Sequence, residues 1–300
     1  MPRILVATRD GLHTLDEDGQ PGGVDHAGRS VTALGRAGTE YWAVVDASEL
    51  WRAAGADWSH VSDLDALRAT CVAGIGADVF VGSSEARLFR LAGDQLEPVL
   101  AFDHAEGRET WHTPWGGPPD TRSMANWNDD IFVNVHVGGI LRSDDGGATW
   151  TPTIEVDADV HHVTTAAGTV LAACAGGLAV STDRGVTWAY RTDGLEARYS
   201  RAVAVCGGTV LLSTSNGPRG GRAAVYRGRL AGGTFERCRD GLPEWFDDNI
   251  DTYRLEALPD GALAVFGTSD GRAYGSTDEG ATWSELASGL PPVQRVLVLP

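Results

Sequence analysis

The chain has 300 residues, with 41 acidic against 24 basic and a formal charge of −17; every basic residue is arginine. A surface of that sign repels phosphate backbones and anionic lipid, which argues against nucleic-acid and membrane-surface roles. A hydrophobic content of 42% is ample for a buried core and excludes a disordered chain.

In chain order, the segment R-I-L-V-A-T-R-D-G-L-H-T-L-D-E-D-G at 3–19 reads as a hairpin of two strands, and T-L-D-E-D-G-Q-P at 14–21 is a degraded form of a turn that recurs later. The turn returns as A-G-A-D-W ending at Trp58 and as L-A-G-D-Q-L around Leu96. It is complete in S-D-D-G-G-A-T-W at 143–150, S-T-D-R-G-V-T-W at 181–188 and S-T-D-E-G-A-T-W at 276–283. Between the last two, Phe235 of A-G-G-T-F-E stands where the next tryptophan is due. Trp150 and Trp188 lie 38 residues apart and Trp283 a further 95, about two repeats, which makes seven units. Within a unit such as the fifth, H-H-V-T-T-A-A, T-V-L-A-A-C-A, G-L-A-V-S-T-D and T-W-A-Y-R-T are four short β-rich runs divided by glycine or polar turns. Apolar residues on both faces suit sheets stacked between neighbours. The expectation is an all-β, seven-bladed propeller of four-stranded blades. The C-terminal V-Q-R-V-L-V-L-P should supply the innermost strand of the first blade, closing the ring. The blades are placed at 291–300 plus 2–26, 27–63, 64–103, 121–156, 157–196, 197–241 and 248–290, with an insertion at 102–121 and a single domain over 1–300. No run is apolar and long enough for a signal peptide or a bilayer span, so a cytosolic protein is expected, and a monomer. Its four cysteines, Cys71, Cys174, Cys206 and Cys238, are expected as buried thiols.

These turns resemble those of the Asp-box, or BNR-repeat, propellers, a sialidase-like group that also includes sortilin-type receptors, xyloglucan hydrolases and the photosystem assembly factor. The resemblance implies that the box joins the third and fourth strands of a blade, on the face opposite the usual binding site. The residue types fit a structural turn: Ser143, Ser181 and Ser276 open it, and Asp145, Asp183 and Asp278 accept backbone N–H bonds within it. Gly147, Gly185 and Gly280 supply positive φ. Trp150, Trp188 and Trp283 bury apolar area between blades. Resemblance to true sialidases is not close: Arg3-Ile4-Leu5 matches only the centre of their F-R-I-P motif, and they have six blades. Tyr253 and Glu256, offered as a nucleophile pair, lie three residues apart on a strand and point to opposite faces.

Chemistry is therefore sought at the opposite ends of the strands, where three connections are long: 102–121, 213–224 and 240–253. Trp111, Trp115, Trp245 and Phe246 lie in these insertions and either stack on a flat ligand or pin the loops to the ring. Each innermost strand begins near an arginine or histidine, including Arg122, Arg201 and Arg295. These form either a positive funnel for carboxylate, phosphate or sulfate groups or bridges between blades through acids such as Asp247 and Asp251. His136, in F-V-N-V-H-V-G-G, should face His161 and His162 at the start of the next blade, near His104 and His112. His136 and His161 are the metal-ligand candidates, for a divalent transition metal as the one cofactor envisaged, and with Asp251 and Tyr253 they are the catalytic candidates. Trp111, His112, Arg122, Arg201, Arg219 and Trp245 are the ligand-binding candidates. The expected function is binding of a small anionic or polar molecule on the box-free face, with a hydrolase- or lyase-like, metal-assisted transformation as its extension. The alternatives are a non-catalytic module for a protein partner and, behind it, a sialidase-type glycoside hydrolase.

Overall fold

The computed structural model describes residues 2–55 and 57–300; Met1, and Ala56 of the A-G-A-D-W turn, lie outside the described residues. Among the described residues, 28 strands form seven four-stranded antiparallel sheets, the blades of a β-propeller. Blade 1 is built from Val293–Leu299, Arg3–Thr8, Gly11–Asp16 and Pro21–Asp25, so the C-terminal strand is innermost. It pairs Val298 with Ile4 and Val296 with Val6. Blade 2 runs Val31–Ala37, Glu40–Val45, Glu49–Ala53, Trp58–Asp63, and blade 3 Ala69–Ile75, Asp78–Ser83, Arg87–Ala92, Gln95–Pro98. Blade 4 comprises Thr121–Trp127, Asp130–Val135, Gly139–Ser143, Thr151–Ile154, and blade 5 Val160–Ala166, Thr169–Cys174, Gly177–Ser181, Ala189–Arg191. Blade 6 follows with Tyr199–Cys206, Thr209–Ser215, Ala224–Arg229, Glu236–Arg237, and blade 7 with Leu255–Ala257, Ala264–Gly267, Ala273–Ser276, Ser284–Ala287.

Two compact units are distinguished, one of residues 1–30, 173–179 and 190–300, the other of 31–172 and 180–189. In the first, Leu211, Val225, Ile250, Phe266, Tyr274 and Trp283 form one apolar cluster, and Ile4, Val6, Val265, Val296 and Val298 belong to another. In the second, Trp42, Val44, Leu50, Val72 and Val81 pack blade 2 on blade 3. Middle strands are buried on both faces, as in Asp130–Val135, because sheets cover them from either side. All four cysteines are buried thiols outside any disulfide, and burial pushes the Cys206 and Cys238 thiols up to about 11. No helix among the described residues is long and apolar enough to cross a membrane.

The repeated turn joins the third and fourth strands in blades 4, 5 and 7. In blade 4 the Ser143 hydroxyl donates to Asp145 Oδ1 (2.8 Å) and accepts from the Gly147 N–H (2.8 Å). Asp145 in turn accepts from the Thr149 N–H (2.9 Å) and hydroxyl (2.7 Å), and these bonds, the Thr149 hydroxyl first, lower its carboxyl to about 2. The same bonds recur about Ser181 and Asp183 and about Ser276 and Asp278. Trp150 and Trp283 each donate Nε1 to the carbonyl of their own turn's glycine, Gly147 and Gly280, whereas Trp188 donates to Thr153 of the preceding blade. The serine and aspartate side chains of each complete turn bond within it, the pattern of a structural turn. Where the motif is degraded, the bonding survives in part: Asp16 Oδ1 accepts from the N–H groups of Asp18 and Gln20, and Phe235 is fully buried.

Candidate functional site

Antiparallel pairing puts the connection between second and third strands, and the connection from one blade to the next, at the strand ends away from the repeated turns. Two such connections meet in the 31–172 unit. The turn after Val135 bonds the Gly138 N–H back to the Val135 carbonyl (2.9 Å), and the His136 N–H donates to the Asp120 carbonyl (3.0 Å), at the end of the long insertion. A Cβ on Gly138 would lie 2.4 Å from Val135 Cγ1, so only glycine lets this turn close tightly. On the blade-to-blade connection, a short 3-10 turn at Val156–Ala158 ends on Asp159 at φ 46°, a left-handed conformation that aspartate tolerates. Asp159 and His161 stand on either side of Val160 where the innermost strand of blade 5 begins.

His136 Nε2 lies 3.4 Å from Asp159 Oδ1, and His161 Nε2 lies 3.5 Å from Asp159 Oδ2. The two imidazole centroids are 5.6 Å apart, and one ligating atom from each of the three side chains falls within 4.8 Å of the others. Both contacts are longer than the 2.7–2.9 Å of a tight charge-assisted hydrogen bond. They match the edge of a coordination tetrahedron, about 3.4 Å for ligands near 2.1 Å from a metal. His161 is 0% exposed and His136 9%, while the Asp159 side chain keeps 29% of its surface, so one side of the group faces solvent. Burial opposes ionisation of Asp159, yet the His136 and His161 imidazoles outweigh it and hold the carboxyl far below its usual range. Two imidazoles and a carboxylate with one accessible side can hold a divalent transition metal and leave room for a further ligand.

The insertion borders this group. Arg108 anchors it by donating to the Ala86 and Glu85 carbonyls (2.8 and 2.9 Å), and Arg87 pairs with Asp103. Trp111 is buried against Phe102 (centroids 5.9 Å apart) with the Arg108 guanidinium 4.9 Å from its ring, which pins the loop. Trp115 is 68% exposed and its ring lies 5.4 Å from that of His136. His112 is exposed and its Nδ1 lies 2.7 Å from the Thr110 carbonyl; His104 is likewise exposed. Arg122 is half-buried on the first strand of blade 4.

The remaining predicted residues lie in the other unit. Arg201 donates to Asp251 Oδ2 (2.9 Å), and Asp251 also caps the Thr252 N–H (2.7 Å), so this arginine and this acid bridge blades 6 and 7. The Tyr253 ring lies 6.0 Å from the Arg295 guanidinium, Arg219 is exposed, and Trp245 packs against arginines described below. Asp159 was not among the expected residues; its only sequence signal is the Asp-x-His spacing in A-D-V-H.

No family model matches the sequence, and no curated protein matches it. Among solved structures, YCF48 bound to D1 peptide superposes with a TM-score of 0.60 at 15% identity, over 88% of this chain and 84% of that one. YCF48 from Cyanidioschyzon merolae gives 0.61 at 12% identity, over 90% and 94%. An ancestral GH74 enzyme gives 0.63 at 15% identity, over 85% of this chain but 38% of that chain. At these identities the likeness is one of fold, a seven-bladed β-propeller.

Proposed function

We propose that this chain is a ligand-binding propeller that holds a divalent transition metal at His136, Asp159 and His161 and, through the open side of that site, a small polar or anionic molecule. The supporting observation is the convergence of the three side chains, with ligating atoms within 4.8 Å of one another, where blades 4 and 5 meet. Bound metal supplies Lewis acidity there. His161, held by the strand, and Asp159, fixed by the 3-10 turn, orient the site; Trp115 screens it, and Arg122 is the predicted anion-binding arginine of the same unit. On the same footing we read the three complete turns as Asp boxes of a BNR-repeat propeller, and residues 1–300 as a single cytosolic domain.

The test is elemental analysis of untagged protein purified without chelator, beside Asp159→Asn and His136→Ala/His161→Ala variants. Near-stoichiometric zinc, copper or iron in the parent, lost in both variants with the fold intact, supports the proposal. Failure of the parent to take up any of these ions on dialysis overturns it.

A second reading, a module that grips a protein partner, is favoured by the exposure of Leu100 and Trp115 on and beside one insertion (62% and 68%), and a similar fold is known bound to a peptide. Loss of a partner from the Leu100→Ser/Trp115→Ala variant, with metal content unchanged, would select this reading; retention of every partner would eliminate it.

A further inference from the structure

A second group of charges lies away from the innermost strands, in the 190–300 segment. Glu196, on the connection leading into blade 6, is met by three guanidinium groups: Arg222 Nη2 at 3.6 Å, Arg237 Nη1 at 3.5 Å and Arg239 Nη2 at 3.5 Å. Among the described residues none of the three pairs with another carboxylate. All three separations exceed the 2.7–2.9 Å of a well-seated guanidinium–carboxylate bond. The Arg237 side chain is only 4% exposed, yet its Nε and Nη1 make no hydrogen bond. Arginine carries five donors in a fixed fork, and buried donors are ordinarily satisfied. The cluster therefore has an excess of cations and donors over acceptors, on a chain whose overall charge is strongly negative.

The Arg237 and Arg222 guanidiniums lie 3.8 and 4.3 Å from the centroid of the Trp245 ring. Trp245 also lines a cavity of about 520 Å³ with Phe246, Tyr274 and the acids Asp247, Asp248 and Asp270. Trp245 is the residue shared by the arginine cluster and the cavity, so the flat, apolar body of an arginine-bound carboxylate would meet its ring. A second negative charge on that body would meet three carboxylates in the lining, where Arg272 already pairs with Asp270 and Glu285.

We propose that the Glu196 cluster is a carboxylate-exchange site. Glu196 is its resident occupant, and a small aromatic monocarboxylate displaces it, its carboxylate taken by Arg222, Arg237 and Arg239 and its ring placed against Trp245. The site belongs to a different unit from His136, Asp159 and His161 and does not depend on the metal.

The test uses the full chain, stripped of metal and desalted, with benzoate as the probe and calorimetry or ligand-observed NMR as the readout. Glu196→Gln removes the competing charge while keeping the side-chain volume, and should bind benzoate at least tenfold more tightly than the parent. Arg222 and Arg239 are exposed, so Arg222→Gln/Arg239→Gln in the Glu196→Gln background folds, as circular dichroism checks, and should lose that gain. Phthalate, with its second carboxylate, should bind no better than benzoate. Equal benzoate affinity in parent and Glu196→Gln, or full retention of the gain without the two arginines, would overturn the proposal.

Discussion

Glu256 sits in the short innermost strand of blade 7, and burial raises its carboxyl to about 7, opposed only by a hydrogen bond from the Ala257 backbone. Against an ordinary value of 4.5, the folded protein holds a proton that the unfolded chain has released. The sign follows: this contribution to stability is fully present below pH 4.5 and is lost as pH rises through about 7. At pH 8 the loss amounts to about 3 kcal/mol. Glu256→Gln mimics the protonated group at every pH, so it should leave stability unchanged near pH 4.5 and raise it progressively above. For a chain of this length that is a Tm gain of about 5 °C at pH 8. Paired thermal melts of parent and variant from pH 4.5 to 8 measure it, because effects of the other acids cancel in the difference. A difference in Tm that does not vary with pH, or that grows toward acid, would refute the reasoning.

Ser143→Ala strands the buried Gly147 N–H and should cost about 2 kcal/mol in urea unfolding, and Ser181→Ala should behave alike through Gly185. Gly241 stands at φ 77° where a Cβ would lie 1.7 Å from the Trp283 carbonyl oxygen; Gly241→Ala should lose more than about 3 kcal/mol, seen as collapse of soluble yield or Tm. Cupric ion bound at His136 should quench the neighbouring Trp115, so Trp115→Phe should show a smaller fluorescence loss on copper titration at unchanged stability; an identical loss would place the ion elsewhere.

The blade architecture was legible because its signal is local: a turn that needs serine, aspartate, glycine and tryptophan at fixed offsets stands complete in blades 4, 5 and 7, and Asp16 and Phe235 keep part of its bonding or packing where the motif has decayed. The meeting of His136 with His161 was legible for the same reason, since antiparallel order alone brings the end of one blade's second strand to the start of the next blade. Asp159 was hidden because D-A-D-V offers two aspartates, and only a 3-10 turn decides which one is aimed at the histidines. Trp111 stayed ambiguous because aromatic residues in a long loop look alike in sequence whether they face a ligand or pack on the ring; in the structure it packs on Phe102. The Glu196 cluster gathers residues from a blade connection, a hairpin and an outermost strand, up to 43 positions apart, and no periodicity links them.

The most direct test of the account is anomalous diffraction at the zinc edge from a crystal of the protein grown with zinc. The account predicts one strong peak bounded by His136 Nε2, His161 Nε2 and the Asp159 carboxylate, about 2.1 Å from each ligating atom. A well-ordered crystal with no peak at these side chains would contradict it.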